Sequence, residues 1–497
     1  MENDSVSELL AIRRGKLETL RAVGCDPFGG RFSAAVSLAV AREGFDEGTS
    51  VRVAGRITAH RDMGRSHFLD LSDFTGRLQI FVSVRELDER HLEVFRQLDL
   101  GDWLGVEGTW FTTRTGEKSI RVRSFEVLSK SLRPLPEKWH GIQDAQTKYR
   151  RRYLDLLANE SSREVFSKRI RIIREIRAFL EARGFLEVET PMMQAVAGGA
   201  AARPFQTHHN ALGMDLYLRI APELYLKRLL VAGMTRVFEL NRNFRNEGLS
   251  RRHNPEFTML EVYQAFADFE EMAALVEEMI CDVANSVCGG PLIEHCDAEG
   301  NVVRTINLTR PWKRARYHDL IEAAAPGWAA LDTNARRVRC AELGVDVSAC
   351  VEDYEITQHV FEKLVEEKTM DPLFVTHCPK ELVPLAKLNV ENPNLVDVYE
   401  LIINGQEISP GYSELNDPDV QRARLEAQSG GETQKIDTEF LAALDFGMPP
   451  AGGVGIGIDR LVMMLTGAES IRDVILFPHM RPLEADSSPP SSLKSTR

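Results

Sequence analysis

The chain has 497 residues, enough for roughly two to four domains. Its 43% hydrophobic and 27% charged residues exclude a collagen-like, low-complexity or wholly disordered chain. Lys plus Arg is 61 and Asp plus Glu is 74, so the formal net charge is −13, which argues against non-specific coating of nucleic acid but leaves room for a local basic face. No apolar run approaches the ~20 residues that span a bilayer. The polar start Met1-Glu2-Asn3-Asp4 does not read as a secretory signal, so a cytoplasmic protein without a membrane partner is expected. Seven cysteines without C-x-x-C spacing predict reduced thiols rather than a zinc ribbon or a thioredoxin-like site.

Residues 1–48 read as an amphipathic helix, Ser7–Ala22, with a basic face (Arg13, Arg14, Lys16, Arg21), followed by a tether from Gly24 to Gly48. From Val51 the period changes to two. Short strands are predicted around Val51–Ile57, Phe68–Leu71, Leu78–Val82, Trp103–Val106 and Ile120–Val122, with turn residues between them. A helix over Glu86–Leu98 separates the third strand from the fourth. Five strands with a helix in that place suit an OB-fold barrel over 49–130, a fold that often binds oligonucleotides. The prolines of Leu132-Arg133-Pro134-Leu135-Pro136 open a linker, 131–160. Phe111–Arg152 holds eleven Lys/Arg against four Asp/Glu. That stripe is either a polyanion-binding face or a solvated surface run.

A larger domain is expected over 161–483. Phe166, Ile170, Ile173, Ile176 and Leu180 have helical spacing within Glu164–Arg183, and Gly184 suits a C-cap. Strands are predicted at Phe185–Val188, Tyr217–Ile220, Val237–Leu240, Phe257–Tyr263, Phe374–Thr376, Val398–Ile403 and Val454–Ile458, and helices at Pro222–Val231 and Glu270–Val287. The two do not alternate regularly, so the class is α+β, an antiparallel sheet flanked by helices. The serine- and proline-rich tail, 484–497, is expected to be disordered.

Three constellations can carry chemistry. Gly452-Gly453-Val454-Gly455-Ile456-Gly457-Ile458-Asp459-Arg460 puts a guanidinium at the end of a glycine-rich strand, where it can grip a phosphate beside a flat ligand. Between two strands, Arg245, Arg251, Arg252, His253 and Glu247 crowd one loop. That many like charges repel unless an anion such as a triphosphate occupies the site. Phe257 opens the next strand and can stack on a base. Glu400 and Glu407 flank the turn signal Asn404-Gly405. Folded together beside a triphosphate they would suit Mg²⁺, which takes few carboxylates plus phosphate oxygens and water. Read alone, each of these groups could also be a solvated surface charge.

Motif, order and spacing over about Arg13–Pro482 resemble a bacterial-type class II lysyl-tRNA synthetase. The segments that carry the resemblance are Gly55-Arg56, Leu132–Pro136, Tyr149-Arg150-Arg151-Arg152-Tyr153-Leu154-Asp155-Leu156, Gly184–Met193, Ala221-Pro222-Glu223-Leu224-Tyr225-Leu226-Lys227, Phe244-Arg245-Asn246-Glu247-Gly248 and Gly455–Arg460. The resemblance implies a lysine–tRNA ligase with L-lysine, ATP and tRNA(Lys) as partners. It also implies a homodimer formed partly through the helix ending at Arg183 and the strand near Pro191. Arg245 and Arg460 would be catalytic. ATP would meet Arg245, Glu247, His253, Phe257 and Arg460, with Mg²⁺ on Glu400 and Glu407. Lysine would meet Gly199 and Glu223 at its α-amino group, Arg245 at its carboxylate, and Glu261, Tyr263 and Glu414 at its ε-ammonium. Arg61, Phe68, Gln79 and Glu117 would read the anticodon. Pro410 departs from the family pattern, which commonly has an asparagine there. The resemblance leaves rivals: an aspartate or asparagine synthetase, which would need a cationic pocket; a protein-modifying lysine ligase, which lacks the barrel; and a non-catalytic or altered-specificity paralogue.

Overall fold

The computed structural model describes residues 2–33, 35–135, 142, 144–200, 202–297, 299–383, 385–429 and 436–482. The expected disordered tail and much of the first half of the linker lie outside the described residues. The chain divides into two units, residues 1–163 and 164–497.

In the first unit, β1 (Ser50–Asp62), β2 (Ser66–Ser72), β3 (Arg77–Ser83), β4 (Trp103–Thr112) and β5 (Lys118–Ser129) close a barrel in the order β1-β2-β3-β5-β4. The helix between β3 and β4 runs Glu89–Arg96, and the Asp88 carboxylate accepts from the His91 N–H at its start. Alternate residues, among them Leu69, Leu71, Leu78 and Ile80, fill the barrel, which is why the period of two was legible. The N-terminal helix spans Glu2–Ala22. The expected tether is instead docked: helix Leu38–Glu43 buries Leu38 and Ala41 in the barrel core, and Asp73 accepts from the Leu38 N–H at 3.0 Å. The basic stripe is likewise not one surface. Lys130 is buried between Asp99 (2.6 Å) and Asp102 (2.8 Å), and Arg152 is buried on Asp155 at 2.6 Å.

The second unit contributes β6 (Leu186–Glu187), β7 (Met193–Gln194), β8 (Gln206–His209), β9 (Met214–Leu218), β10 (Arg236–Phe244), β11 (Glu256–Ala265), β12 (Leu292–Cys296), β13 (Val302–Asn307), β14 (Lys313–Arg316), β15 (Leu373–Thr376), β16 (Val398–Ile403), β17 (Gln406–Ser413) and β18 (Ala451–Gly457). The main sheet runs β14-β15-β16-β17-β18-β11-β10-β6. It is antiparallel except at its two edges, where β14 pairs β15 and β6 pairs β10 in parallel. Both faces are covered. Tyr399, Leu401 and Ile403 of β16 join a cluster with helix Phe269–Cys288, whereas Val398 and Ile402 join another with helices Tyr317–Ala324 and Asp353–Leu364. Burial on both sides explains why such strands read as unbroken apolar runs.

The long helix spans Glu160–Glu181 and buries Phe166, Ile172, Ile176, Phe179 and Leu180. Ile170, placed on the apolar face by spacing, is instead 61% exposed. Arg169 of this helix reaches Asp459 at 2.6 Å and donates to the Thr258 hydroxyl at 3.1 Å, while Asp459 accepts from the Thr258 N–H at 2.7 Å. One buried carboxylate thus ties together the long helix, β11 and the start of helix Ile458–Thr466. Asp459→Ala is expected to lower unfolding free energy by about 3–5 kcal/mol, because it leaves a buried guanidinium uncompensated. A smaller loss is expected for Arg169→Met with Asp459→Leu, and urea unfolding checks both.

Candidate active site

Two cavities open along the middle strands. The first, about 200 Å³, is lined by Arg245, Glu247, His253, Phe257, Glu407 and Arg460, among others. The second, about 160 Å³, is lined by Gly199, Glu223, Glu261, Tyr263 and Tyr412. Arg245, Met259 and Pro410 line both. The five residues expected to hold ATP therefore share one cavity. Five of the six expected to hold lysine share the other; Glu414 does not line it.

The first cavity is built by the β10–β11 hairpin, whose register ends at Phe244 opposite Glu256. Residues 245–255 form its loop, anchored where the Arg245 N–H donates to Pro255 O at 2.9 Å. Arg245 lies 5.1 Å over the Phe257 ring, and its buried Nε has no hydrogen-bond partner. Burial lowers its pKa, with Glu247, Glu407 and Glu261 acting in the other direction. A buried donor without an acceptor is a place for an anion. Arg460 donates to Glu407 O at 2.9 Å and meets His253 Nε2 at 3.1 Å. Arginine can only donate, so Nε2 accepts, and Nδ1 carries the proton toward the Ser250 hydroxyl at 2.9 Å. Burial first, and Arg460 second, hold His253 below the usual histidine pKa, which favours this neutral form.

Asn404 and Gly405 adopt positive φ (57° and 68°) and turn β16 into β17, bringing Glu400 and Glu407 to facing strands as the turn signal implied. Burial first, and Glu407 and Glu366 next, push Glu400 up to about 8. Such a carboxylate cluster is short of a cation. Among the described residues no three or more His, Cys, Asp or Glu form a metal cage. Two carboxylates are nevertheless a fit for Mg²⁺ that draws its other ligands from phosphate and water.

In the second cavity, Glu261 is buried and accepts from the Tyr263 hydroxyl at 3.1 Å. Burial, with Glu223 adding to it, pushes Glu261 up to about 8. The Tyr412 hydroxyl donates to Glu223 at 3.0 Å. Glu414 is buried beside this cavity: its Oε2 lies 2.5 Å from Lys227 Nζ, and the same ammonium donates to Glu223 Oε1 at 2.7 Å. Reading the sequence overlooked Lys227 and Tyr412. The four-residue spacing of Glu223 and Lys227 on one helix was the available signal. The glycines of β18 make room for these groups. A Cβ on Gly453 would lie 1.8 Å from Glu414 Oε1 and 2.6 Å from the Tyr263 ring.

On the barrel, Arg61 of β1 pairs across to Phe68 of β2, and Gln79 of β3 faces Asp70. Arg61 is bridged to Asp70 at 2.9 Å, and Gln79 accepts from the Ser119 hydroxyl at 2.9 Å. Phe68 lies 5.2 Å from Phe81, whose face also carries Arg121 at 5.5 Å. Arg61, Phe68 and Gln79 share one face, and exposed Glu117 sits in the β4–β5 loop beside it.

Gly453→Ala is expected to cost about 1–3 kcal/mol by overpacking. Gly457→Ala is the control, since its Cβ would sit 3.7 Å or more from Arg460. Urea unfolding of the two variants separates a crowded strand from mere loss of glycine.

Residues 144–481 match the family described as tRNA synthetases class II (D, K and N), and residues 51–128 match the OB-fold nucleic acid binding domain. The lysine–tRNA ligase of Syntrophomonas wolfei is 48% identical over 493 residues, 97% of this chain and 99% of that protein. That of Carboxydothermus hydrogenoformans is 49% identical over 492 residues, 97% and 100%. That of Bacillus cereus strain B4264 is 45% identical over 498 residues, 97% and 99%. A synthetase family spanning the sheet and both cavities, together with relatives aligned end to end, means that the chain belongs to the class II lysyl-tRNA synthetases.

Proposed function

We propose that the chain activates L-lysine with ATP and transfers it to the 3′ end of tRNA(Lys), using the two adjoining cavities as its lysine and ATP sites. The observation that carries the reading is their shared wall. Arg245 stands between an acidic cavity and a cationic one, where a carboxylate and an α-phosphate would have to meet.

In the first step a lysine carboxylate oxygen attacks the α-phosphorus of ATP in line, the bond from that phosphorus to the α,β-bridging oxygen breaks, and the β- and γ-phosphates leave as pyrophosphate. The product is lysyl-adenylate. The terminal ribose hydroxyl of the tRNA then attacks the acyl carbon, the ester forms, and AMP leaves. No side chain need become covalently bonded. Arg245 and Arg460 neutralise charge on the reacting and departing oxygens, and alignment supplies much of the acceleration. Glu400 and Glu407 would hold Mg²⁺, which neutralises charge on the phosphates. Phe257 and Arg245 offer a ring face and a guanidinium on the nucleotide side. Glu223 and Glu261 would take the lysine ammonium groups, with Gly199 leaving space beside Glu223: a Cβ there would lie 3.1 Å from Glu223 Cβ.

The barrel, 49–130, is assigned to anticodon reading, with Phe68 stacking on a base and Arg61, Gln79 and Glu117 on base edges. The region 161–483 is assigned to catalysis, and 1–48 and 131–160 to the flanking helix segment and the linker. A homodimer is supported by apolar side chains left open on the elements the resemblance points to: Ile170, Leu186 and Met193. Among the described residues no helix is long and apolar enough to cross a membrane, which accords with a cytoplasmic enzyme. Pro410 is the one residue that favours a non-catalytic or altered-specificity paralogue.

Lysine-dependent exchange of pyrophosphate into ATP is the direct test; a protein without exchange is not a ligase. Arg460→Ala should lower exchange by about a hundredfold or more, as expected for a group that stabilises charge in the transition state. Unchanged aminoacylation in that variant would favour the paralogue reading.

The acidic cavity also predicts a pH dependence. Burial first, and Glu223 next, push Glu261 up to about 8, which favours its protonated form at pH 7 in the free protein. An arriving ammonium favours the carboxylate and lowers that pKa. Binding therefore releases a proton, and lysine affinity rises with pH by up to about tenfold per unit between pH 6 and 8, then levels off. Calorimetry in buffers of different ionisation heat measures the release.

A further inference from the structure

Lys227 carries no role in the reading above, yet its ammonium is fully buried beside the acidic cavity. It lies 2.7 Å from Glu223 Oε1 and 2.5 Å from Glu414 Oε2. It also sits 5.7 Å from the Tyr412 ring centroid, and Tyr412 itself donates to Glu223. Three segments meet on this one cation: helix Glu223–Val231, β17 through Tyr412, and the residues just after β17 through Glu414.

Charge arithmetic gives the position a purpose. Glu223, Glu261 and Glu414 are three carboxylates, and Lys227 is an internal ammonium among them. The formal remainder is two negative charges. A lysine zwitterion brings two ammonium groups, and its carboxylate has Arg245. The cavity and its ligand then balance, which a buried site requires.

We propose that Lys227 is a positioning residue that fixes Glu223 and Glu414 and sets the cavity's charge to match a diamino acid. This rests on the lysine-activating reading. Burial alone would lower the Lys227 pKa, but Glu223 and Glu414 together hold it above the usual lysine value, so it remains a fixed cation through the working range. Other groups face the cluster. Glu261 and Tyr263 come from β11, Tyr412 from β17, Arg219 from the segment after β9, Glu239 from β10 and Arg245 from the loop after β10. Arg219 and Glu239 are paired with each other at 2.6 Å, and Arg245 faces the nucleotide side, so none of them can replace the ammonium. Burial and then Glu223 push Glu414 up to about 8 even though Lys227 acts in the other direction, so without Lys227 the facing carboxylates would hold a proton to still higher pH.

The test is lysine-dependent ATP–pyrophosphate exchange across pH 6 to 9 in wild type, Lys227→Met, Lys227→Arg and the double variant Lys227→Met with Glu414→Gln. Absence of exchange in wild type would sink the lysine-activating reading itself, apart from this inference. In Lys227→Met the lysine KM should rise at least about thirtyfold at pH 7 while the ATP KM stays within about twofold. The acid-side limb of log kcat/KM for lysine should move to higher pH by about one unit or more in Lys227→Met, since Glu414, already pushed up to about 8 by burial with Lys227 lowering it, loses that ammonium. Lys227→Arg should keep the wild-type limb because it keeps the charge. The double variant removes one carboxylate with the ammonium, restores the formal remainder of two, and should return the limb to the wild-type pH or below. It also serves if the single methionine variant does not fold. An unmoved limb in Lys227→Met, or a double variant whose limb stays at the higher pH or that fails to fold, overturns the proposal.

Discussion

Incomplete neutralisation of buried charge separates scaffold from site in the catalytic unit. Asp459 with Arg169 and Glu239 with Arg219 are closed pairs, each at 2.6 Å, and each is further tied by hydrogen bonds to neighbouring residues. They hold elements in place and ask nothing of a ligand. Glu261 has only a tyrosine hydroxyl, Glu400 faces other carboxylates, and the Nε of Arg245 has no acceptor. Buried groups left in that state cost free energy unless something completes them. Arg245 and Glu261 line the cavities, and Glu400 lies on the strand facing Glu407, which lines the first. Perturbed pKa values of this kind mark functional sites as a class.

The barrel works on a different principle. Its fixed charges are tied down internally: Lys130 is locked on Asp99 and Asp102, and Lys16 reaches Asp99 at 2.6 Å. What its outer face offers is a half-exposed aromatic row with guanidinium groups alongside, Phe68 and Phe81 with Arg61 and Arg121. Stacking on such a surface is tolerant of partner and reversible, whereas the cavities demand a match of charge. The net charge of the chain therefore says little about its partners, since the cationic groups that matter are local.

Much of this was legible in the sequence where one local rule governed the outcome. The barrel strands followed their period of two, and Asn404-Gly405 fixed a hairpin whose two carboxylates lie seven residues apart. Helix Phe269–Cys288 followed its apolar spacing and begins at an Asp268 cap. The failures have a common cause, which is that a pairing partner decides a side chain's fate and the partner is remote. Ile170 has the spacing of a core residue but is left exposed. Lys130 and Arg152 counted toward a surface stripe but are buried on aspartates. The segment Gly24–Gly48 has no strong period of its own and docks only because the barrel offers Asp73 and a core for Leu38.

Pro410 can be judged against the strand geometry. A proline cannot donate to a ladder, so it is tolerated where pairing ends. β17 pairs with β18 at Gly411, Tyr412 and Ser413, and that pairing stops short of Pro410. The residue thus sits at the fork where the two strands separate, and the fork is where both cavities open. A backbone N–H is not needed on that side, so the fold accommodates proline there. The side-chain amide common in the family is what is lost. Under the proposed assignment, recognition of the amino-acid carboxylate falls to Arg245, whose Nε has no other partner. Under the same assignment a cationic side chain would be chosen by Glu261, Tyr263 and Glu414, all buried, so the substitution would act on how tightly the ligand is held rather than on which ligand is chosen.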